Sequence, residues 1–171
     1  MFTGIITDIG RISEVSHENQ AMQARIQTSY DMEDVAIGAS IACDGVCLTV
    51  TKGANDTDSN WFEVDISAET ISVTNLKSWQ EKSEINLERS MKIGDEIGGH
   101  LVSGHVDGLA QVSDIKSDGS NTVMTFEIPR ELARFIPAKG SVCINGTSFT
   151  VNTVSQTQFS INIVPHTMNV T

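Results

Sequence analysis

Apolar and polar residues alternate along this chain in short runs. Phe62, Val64 and Ile66 are separated by Glu63 and Asp65 and followed by Ser67, and Phe159, Ile161 and Ile163 repeat the same phase. A period of two places one set of side chains on one face of an extended segment, so these runs predict half-buried strands. Asp44-Gly45 and Asn145-Gly146 each lie between two apolar runs. Both pairs have the residue chemistry that a two-residue hairpin with positive φ demands. Helix is scarce. The best candidates are residues 68–75 and 129–135, the latter opening on Pro129 with Glu131 in its first turn. About six short strands per hundred residues, with no long helix between them, predict a small closed antiparallel barrel.

The strand pattern occurs twice. GASIACDGVCLTV (38–50) returns as KGSVCINGTSFTV (139–151), with Gly45 on Gly146, Cys47 on Ser148 and Thr49 on Thr150. TGIITDIGRISEV (3–15) matches SGHVDGLAQVSDI (103–115), and FEVDISAETISVT (62–74) matches FSINIVPHTMNVT (159–171). Three blocks in one order, each displaced by about a hundred residues, identify two homologous domains. The glycine-rich stretch 92–100 is the natural linker, which divides the chain into residues 1–97 and 98–171. The first repeat continues through EINLERS (84–90), an alternation that reads as a closing strand. The second repeat has no counterpart before Thr171. The expectation is a second barrel lacking its last strand, either because the chain is a fragment or because that barrel closes in another way.

Composition narrows the classes. A hydrophobic content of 39% is enough for a core in each domain, and a net charge of −11 opposes binding to nucleic acid or to anionic membrane surfaces. No basic patch offsets it. No apolar run approaches a membrane span and no signal segment follows Met1, so a soluble, cytoplasmic protein is expected. Three cysteines, Cys43, Cys47 and Cys143, are an odd number and fit reduced thiols.

GGHLVSGH (98–105) sets His100 and His105 between glycines at the seam of the repeats. Structural hydrogen bonds at a domain junction are the favoured reading for both, since a metal site needs more ligands at recognisable spacing. Cys43 and Cys47 read as small buried hydrophobes, and no metal is expected. Cys47 with Thr49, and Ser148 with Thr150, alternate so that each pair shares a strand face. Such hydroxyls either bind a polar heterocycle or satisfy a turn. Trp61, Trp79 and Tyr30 read as packing residues. No G-x-S-x-G elbow, P-loop or dinucleotide fingerprint is present.

MFTGII at the start, GASIACDGVCLTV, INLERSMKIGDEIGGHLVSGHVDG and GSVCINGTSFTV together resemble the riboflavin synthase α-chain family from Met1 to Thr171. The resemblance implies an all-β chain of two tandem six-stranded Greek-key barrels and a homotrimer held largely by a C-terminal helix, which this sequence lacks. It implies a transferase of riboflavin biosynthesis. Two molecules of 6,7-dimethyl-8-ribityllumazine would be converted to riboflavin and 5-amino-6-ribitylaminouracil, where the N-terminal barrel of one subunit faces the C-terminal barrel of its neighbour. No cofactor is implied. The N-terminal pocket would comprise Gly4, Ile5, Ile6, Cys47, Leu48, Thr49, Asp65, Ile66, Ser67, Ala68, Glu69 and Thr70, with Gly104, His105 and Val106 near the seam. The C-terminal pocket would comprise Lys139, Ser148, Phe149, Thr150, Asn162, Ile163, Val164, Pro165, His166 and Thr167.

The roles implied are proton movement by His105 and Thr49, shaping or polarisation by Cys47 and Ser40, and stabilisation of developing charge by Ser148 and Thr150. Phe2 would cover a ring. Phe149 departs from a usual leucine, His166 from an acidic residue, and the aspartate of the second closing strand would lie beyond Thr171. A chain ending there would trimerise weakly. The rival readings are a non-catalytic lumazine or riboflavin binder of the same fold, and a flavin-binding module, which would need a following nicotinamide-binding domain.

Overall fold

The computed structural model describes residues 1–18 and 20–171. The alternating runs of the first repeat become β1 (Asp8–Glu18), β2 (Ala21–Thr28), β3 (Ser40–Cys43), β4 (Val46–Ala54), β5 (Asn60–Ile66) and β6 (Glu84–Arg89). They close an antiparallel barrel in the order β1-β2-β5-β4-β3-β6, a Greek-key arrangement in which the last strand pairs with both β1 and β3. Every second residue turns inward. Ala24, Ile26, Ile41, Leu48, Val50, Phe62, Val64 and Leu87 form one buried cluster, while Gln23, Thr49 and Asp65 face outward.

The second repeat forms β7 (Gln111–Asp118), β8 (Asn121–Glu127), β9 (Ser141–Ile144), β10 (Thr147–Val154) and β11 (Gln158–Ile163). Their order, β7-β8-β11-β10-β9, is the first barrel's order without its closing strand. Six strands implied for each domain therefore become six and five among the described residues. The edges β7 and β9 stand unpaired where β6 bridges β1 and β3. Its smaller core gathers around Val151, Phe159 and Ile161, with Phe126 stacked on Phe159 at a centroid distance of 5.2 Å.

Irregularities repeat along with the strands. Register shifts fall between Ile12 and Glu14 and between Val112 and Asp114, and again between Val50 and Lys52 and between Val151 and Thr153. Bulges increase local twist and let a small sheet curl, so their recurrence at matched positions shows two copies of one design. The hairpins agree as well. Asp44 and Gly45 have φ of 48° and 81°, and Asn145 and Gly146 have 46° and 84°, the left-handed pair expected from sequence.

The helices are shorter than the sequence suggested. In place of 68–75 there is α1 (Ala68–Val73), where the Ser67 side chain accepts from the Thr70 N–H and Thr74 opens a separate 3-10 turn. In place of 129–135 there is α2 (Arg130–Ala133), one turn following Pro129. A third helix, α3 (Pro165–Val170), is not among those the sequence pattern predicts, although its sequence aligns with α1. Proline at its start supplies the preset φ that the short run needs. Trp79 is buried and donates to Asp44, Tyr30 bonds Thr7, and Trp61 lies under the Arg25 guanidinium. All three aromatics pack as expected.

Candidate functional site

The two domains meet through an exchange of their leading segments. The Gly4 carbonyl accepts from the Ser148 N–H at 2.8 Å, and the Gly104 carbonyl accepts from the Cys47 N–H at 2.8 Å. Gly4 corresponds to Gly104 and Cys47 to Ser148, so each repeat offers its leading glycine to the same strand of the other. Phe2 and Val102 pair on the axis between them, each donating to the other's carbonyl at 2.8 and 2.9 Å. Phe2 is wholly buried there with Ala42 and Val102. Its ring is therefore part of the domain junction in this chain, not a free cover for a ligand.

In the first domain β4 alternates so that Val46, Leu48 and Val50 enter the core and Cys47 and Thr49 face outward. Ser40 pairs with Thr49 across β3 and β4. Val50 lies opposite Val64, which brings Thr49 and Asp65 onto neighbouring strands on the same outward face. Ser67, Ala68, Glu69 and Thr70 follow as the start of α1, and Gly104, bonded to Cys47, precedes the exposed His105, which lines a cleft of the second domain and does not meet Thr49 in a common pocket. Leu48 and Ile66 are buried at 5% and 1% exposure, so they can offer a ligand only backbone atoms. Val106 packs against the first core, whereas Gly4 sits against Ser148 and Ile6 approaches Gly146 of the second domain.

The second domain repeats the arrangement with different chemistry. Ser148 is half-buried and Thr150 exposed on β10, with Phe149 turned toward the core. Val151 opposes Ile161, so Asn162 is Thr150's neighbour on β11. Ile163 is buried, and Val164, Pro165, His166 and Thr167 lead into α3. Lys139 is exposed at φ 66°, the position where the first repeat has Gly38 at φ 89°.

His100, by sequence a junction histidine, stands in the second-domain site. Its Nδ1 lies 2.7 Å from Ser148 Oγ, and its N–H is held by the Thr3 carbonyl at 2.9 Å. Partial burial pushes the imidazole below its ordinary value. With its proton on Nδ1 the neutral ring donates to Ser148 Oγ and leaves the hydroxyl proton free to be given to a ligand, and the other tautomer can relay a proton. The two residues are 48 apart in sequence, and no local spacing announces them. Among the thiols, burial pushes Cys43 well up and Cys143 to about 11, so neither provides thiolate near neutrality.

Asn162 Oδ1 is buried without a hydrogen-bond partner. An orphaned acceptor at this point is suited to a ligand N–H or O–H. Asn162→Leu removes it with similar shape and is expected to raise stability by about 1 kcal/mol in urea denaturation. An unchanged midpoint would mean that the oxygen is not a liability. A cleft of about 760 Å³ opens elsewhere, on the concave side of the second sheet between β7 and β9, lined by His100, His105, Phe126 and Phe159. It does not include the face that carries Ser148 and Thr150. Among the described residues no cluster of three or more metal-ligating side chains occurs, and no helix is long and apolar enough to cross a membrane.

Comparison with known proteins fits this geometry. The lumazine-binding domain family matches residues 3–90 and 103–171 separately. Riboflavin synthase of Brucella abortus is 50% identical over 100% of this chain and 85% of its own length. The enzymes of that name from Photobacterium leiognathi and Bacillus subtilis are 41% and 37% identical, over 98% and 100% of this chain and 76% and 78% of their own lengths. Among solved structures, LumP complexed with riboflavin superposes with a TM-score of 0.83 at 25% identity, covering 100% of this chain and 90% of that one.

Proposed function

The chain belongs to the riboflavin synthase family of lumazine-binding proteins, and from that premise we propose that it joins two molecules of 6,7-dimethyl-8-ribityllumazine. One molecule loses a proton from the methyl on its carbon seven. The other, activated by addition at the same ring position, gives up a four-carbon unit, and the products are riboflavin and 5-amino-6-ribitylaminouracil. The observation that carries the reading is the exchange at the junction: Cys47 and Ser148 stand at equivalent points, each tied through its N–H to the other repeat's leading glycine. Two related but chemically different outward faces suit a reaction whose two partners are one compound in two roles. Holding both removes much of the entropy cost of their encounter.

In this reading Ser148 and Thr150 hydrogen-bond the heterocycle of one lumazine and stabilise charge as it develops. Neutral His100, protonated on Nδ1, donates to Ser148 Oγ and so aims the hydroxyl proton at the heterocycle. His105 and Thr49 assist proton movement at the first-domain face, and Cys47 and Ser40 shape it. Asn162 Oδ1 receives a donor from the ring or ribityl chain. The functional units are residues 1–97 and 98–171, with the first-domain face of one subunit opposed to the second-domain face of its neighbour in a cytoplasmic homotrimer.

The test is incubation with 6,7-dimethyl-8-ribityllumazine alone, following riboflavin by absorbance and fluorescence. One riboflavin formed for every two lumazines consumed, over many turnovers, is expected. Stoichiometric binding without product would favour the second reading, a non-catalytic binder; the similar LumP was solved in complex with riboflavin.

A further inference from the structure

Glu88 is 4% exposed and lies near the end of β6, on the first barrel's closing strand. A carboxyl so deeply placed needs donors, because an unmatched polar group there costs several kcal/mol. It has three. Oε1 accepts from the Thr3 N–H at 2.6 Å and from the Thr3 hydroxyl at 2.7 Å, and Oε2 accepts from the Gly4 N–H at 2.9 Å. The acceptors of the same two residues point the other way, into the second domain. The Thr3 carbonyl takes the His100 N–H, and the Gly4 carbonyl takes the Ser148 N–H.

Resting on the reading of Ser148 and His100 given above, we propose that Glu88 is a positioning residue for the second-domain site, acting across the domain junction through the Thr3–Gly4 turn. The carboxyl fixes the two N–H groups; the Gly4 N–H shares a peptide plane with the Thr3 carbonyl, which it therefore aims, and the Gly4 carbonyl follows through that residue's own backbone, held at φ 77°. Those carbonyls hold the backbones of His100 and Ser148, whose side chains meet at 2.7 Å. The first barrel's last strand thus sets the aim of a hydroxyl in the other domain. The matching turn, Ser103-Gly104, holds Cys47 through the Gly104 carbonyl.

Glu88→Gln tests this, because an amide nitrogen then faces an N–H donor in place of an acceptor. Amide hydrogen exchange on the whole chain reads the relay directly. Ser148 and His100 are expected to exchange roughly tenfold faster or more, while Val151, farther along β10 and bonded to Gly140, changes much less. With the relay loosened, kcat should fall about tenfold and KM should stay within about twofold. Glu63→Gln is the control. Glu63 is equally buried in the same barrel, but its partners are Arg25 and Lys52, so it should lower stability without singling out Ser148 and His100.

Folded Glu88→Gln with no selective exchange at those two amides would overturn the proposal, as would selective exchange with kcat unchanged, or the same selectivity in Glu63→Gln. Should Glu88→Gln not fold, Thr3→Val decides by the same criteria. It removes one of the three donors and should give a selective increase of roughly threefold. If the unaltered protein turns over no lumazine, the proposed reaction fails, and the exchange pattern still decides whether Glu88 holds His100 and Ser148.

Discussion

Ser148→Ala is expected to lower kcat about a hundredfold or more while leaving the fold essentially intact. The two effects separate because of how Ser148 is held. Its bond to Gly4 is made by the backbone N–H and survives the substitution, and its side chain is half-buried on the outward face of β10 instead of in the core. What disappears is one hydroxyl 2.7 Å from His100 Nδ1. Its loss should cost stability only about 1 kcal/mol, since the imidazole nitrogen left behind keeps partial access to water. The hydroxyl's electrostatic contribution to a charge that forms only during reaction is far larger, because a preoriented donor needs no reorganisation at that moment. Steady-state turnover of lumazine beside a thermal melt measures both. A variant that keeps kcat within about twofold of the parent would remove Ser148 from the chemistry. Thr150→Val, exposed one turn of the alternation away, should have the smaller effect.

Much of this architecture can be read directly from the residues, and the limits of that reading have physical causes. The duplication is legible because strands on one face repeat every second residue and both hairpins need left-handed pairs, so Asp44-Gly45 and Asn145-Gly146 mark the same point twice. Helix lengths are less so. Residues 68–75 carry helical composition throughout, but the Thr74 hydroxyl accepts from Leu76 and starts a new turn, a competition between side chain and backbone that composition does not decide. The outward pairs Cys47 with Thr49 and Ser148 with Thr150 followed from alternation alone. His100 as a partner of Ser148, and Glu88 beneath both, did not. The first contact joins side chains 48 residues apart, and Glu88 reaches that pair only through the backbone of Thr3 and Gly4, where a carbonyl leaves no trace in the identity of the residue that bears it. Leu48, Ile66 and Ile163 belong to the family motifs yet point into the cores. A motif marks a stretch of chain, whereas the pleat assigns only alternate members of it to a face.

Gly4→Ala and Gly104→Ala should each cost at least about 3 kcal/mol and separate the two domains, for the same reason at two ends of one axis. A Cβ on Gly4 would lie 2.6 Å from Ser148 Cβ and 3.0 Å from its nitrogen, and a Cβ on Gly104 would lie 2.6 Å from Cys47 Cβ. These neighbours are strand backbone and the first side-chain carbon, so no flexible tip can swing aside. Both glycines also have positive φ, 77° and 79°, which costs an alanine roughly 1–2 kcal/mol before any contact is considered. Gly38→Ala isolates that backbone part, since Gly38 has φ 89° and nothing within 4 Å of a Cβ. It should lose only about 1 kcal/mol, with lumazine turnover retained. The difference between it and the junction variants then measures the close approach itself. Because each junction glycine bonds the strand of the other repeat, either substitution should disturb both faces together. Turnover should fall with Gly104→Ala as much as with Gly4→Ala, although Gly104 touches Cys47 and not Ser148. Thermal melts on the three variants, with turnover measured on each below its transition, check the prediction. If Gly4→Ala and Gly104→Ala melt no lower than Gly38→Ala, the domains are not held by this exchange.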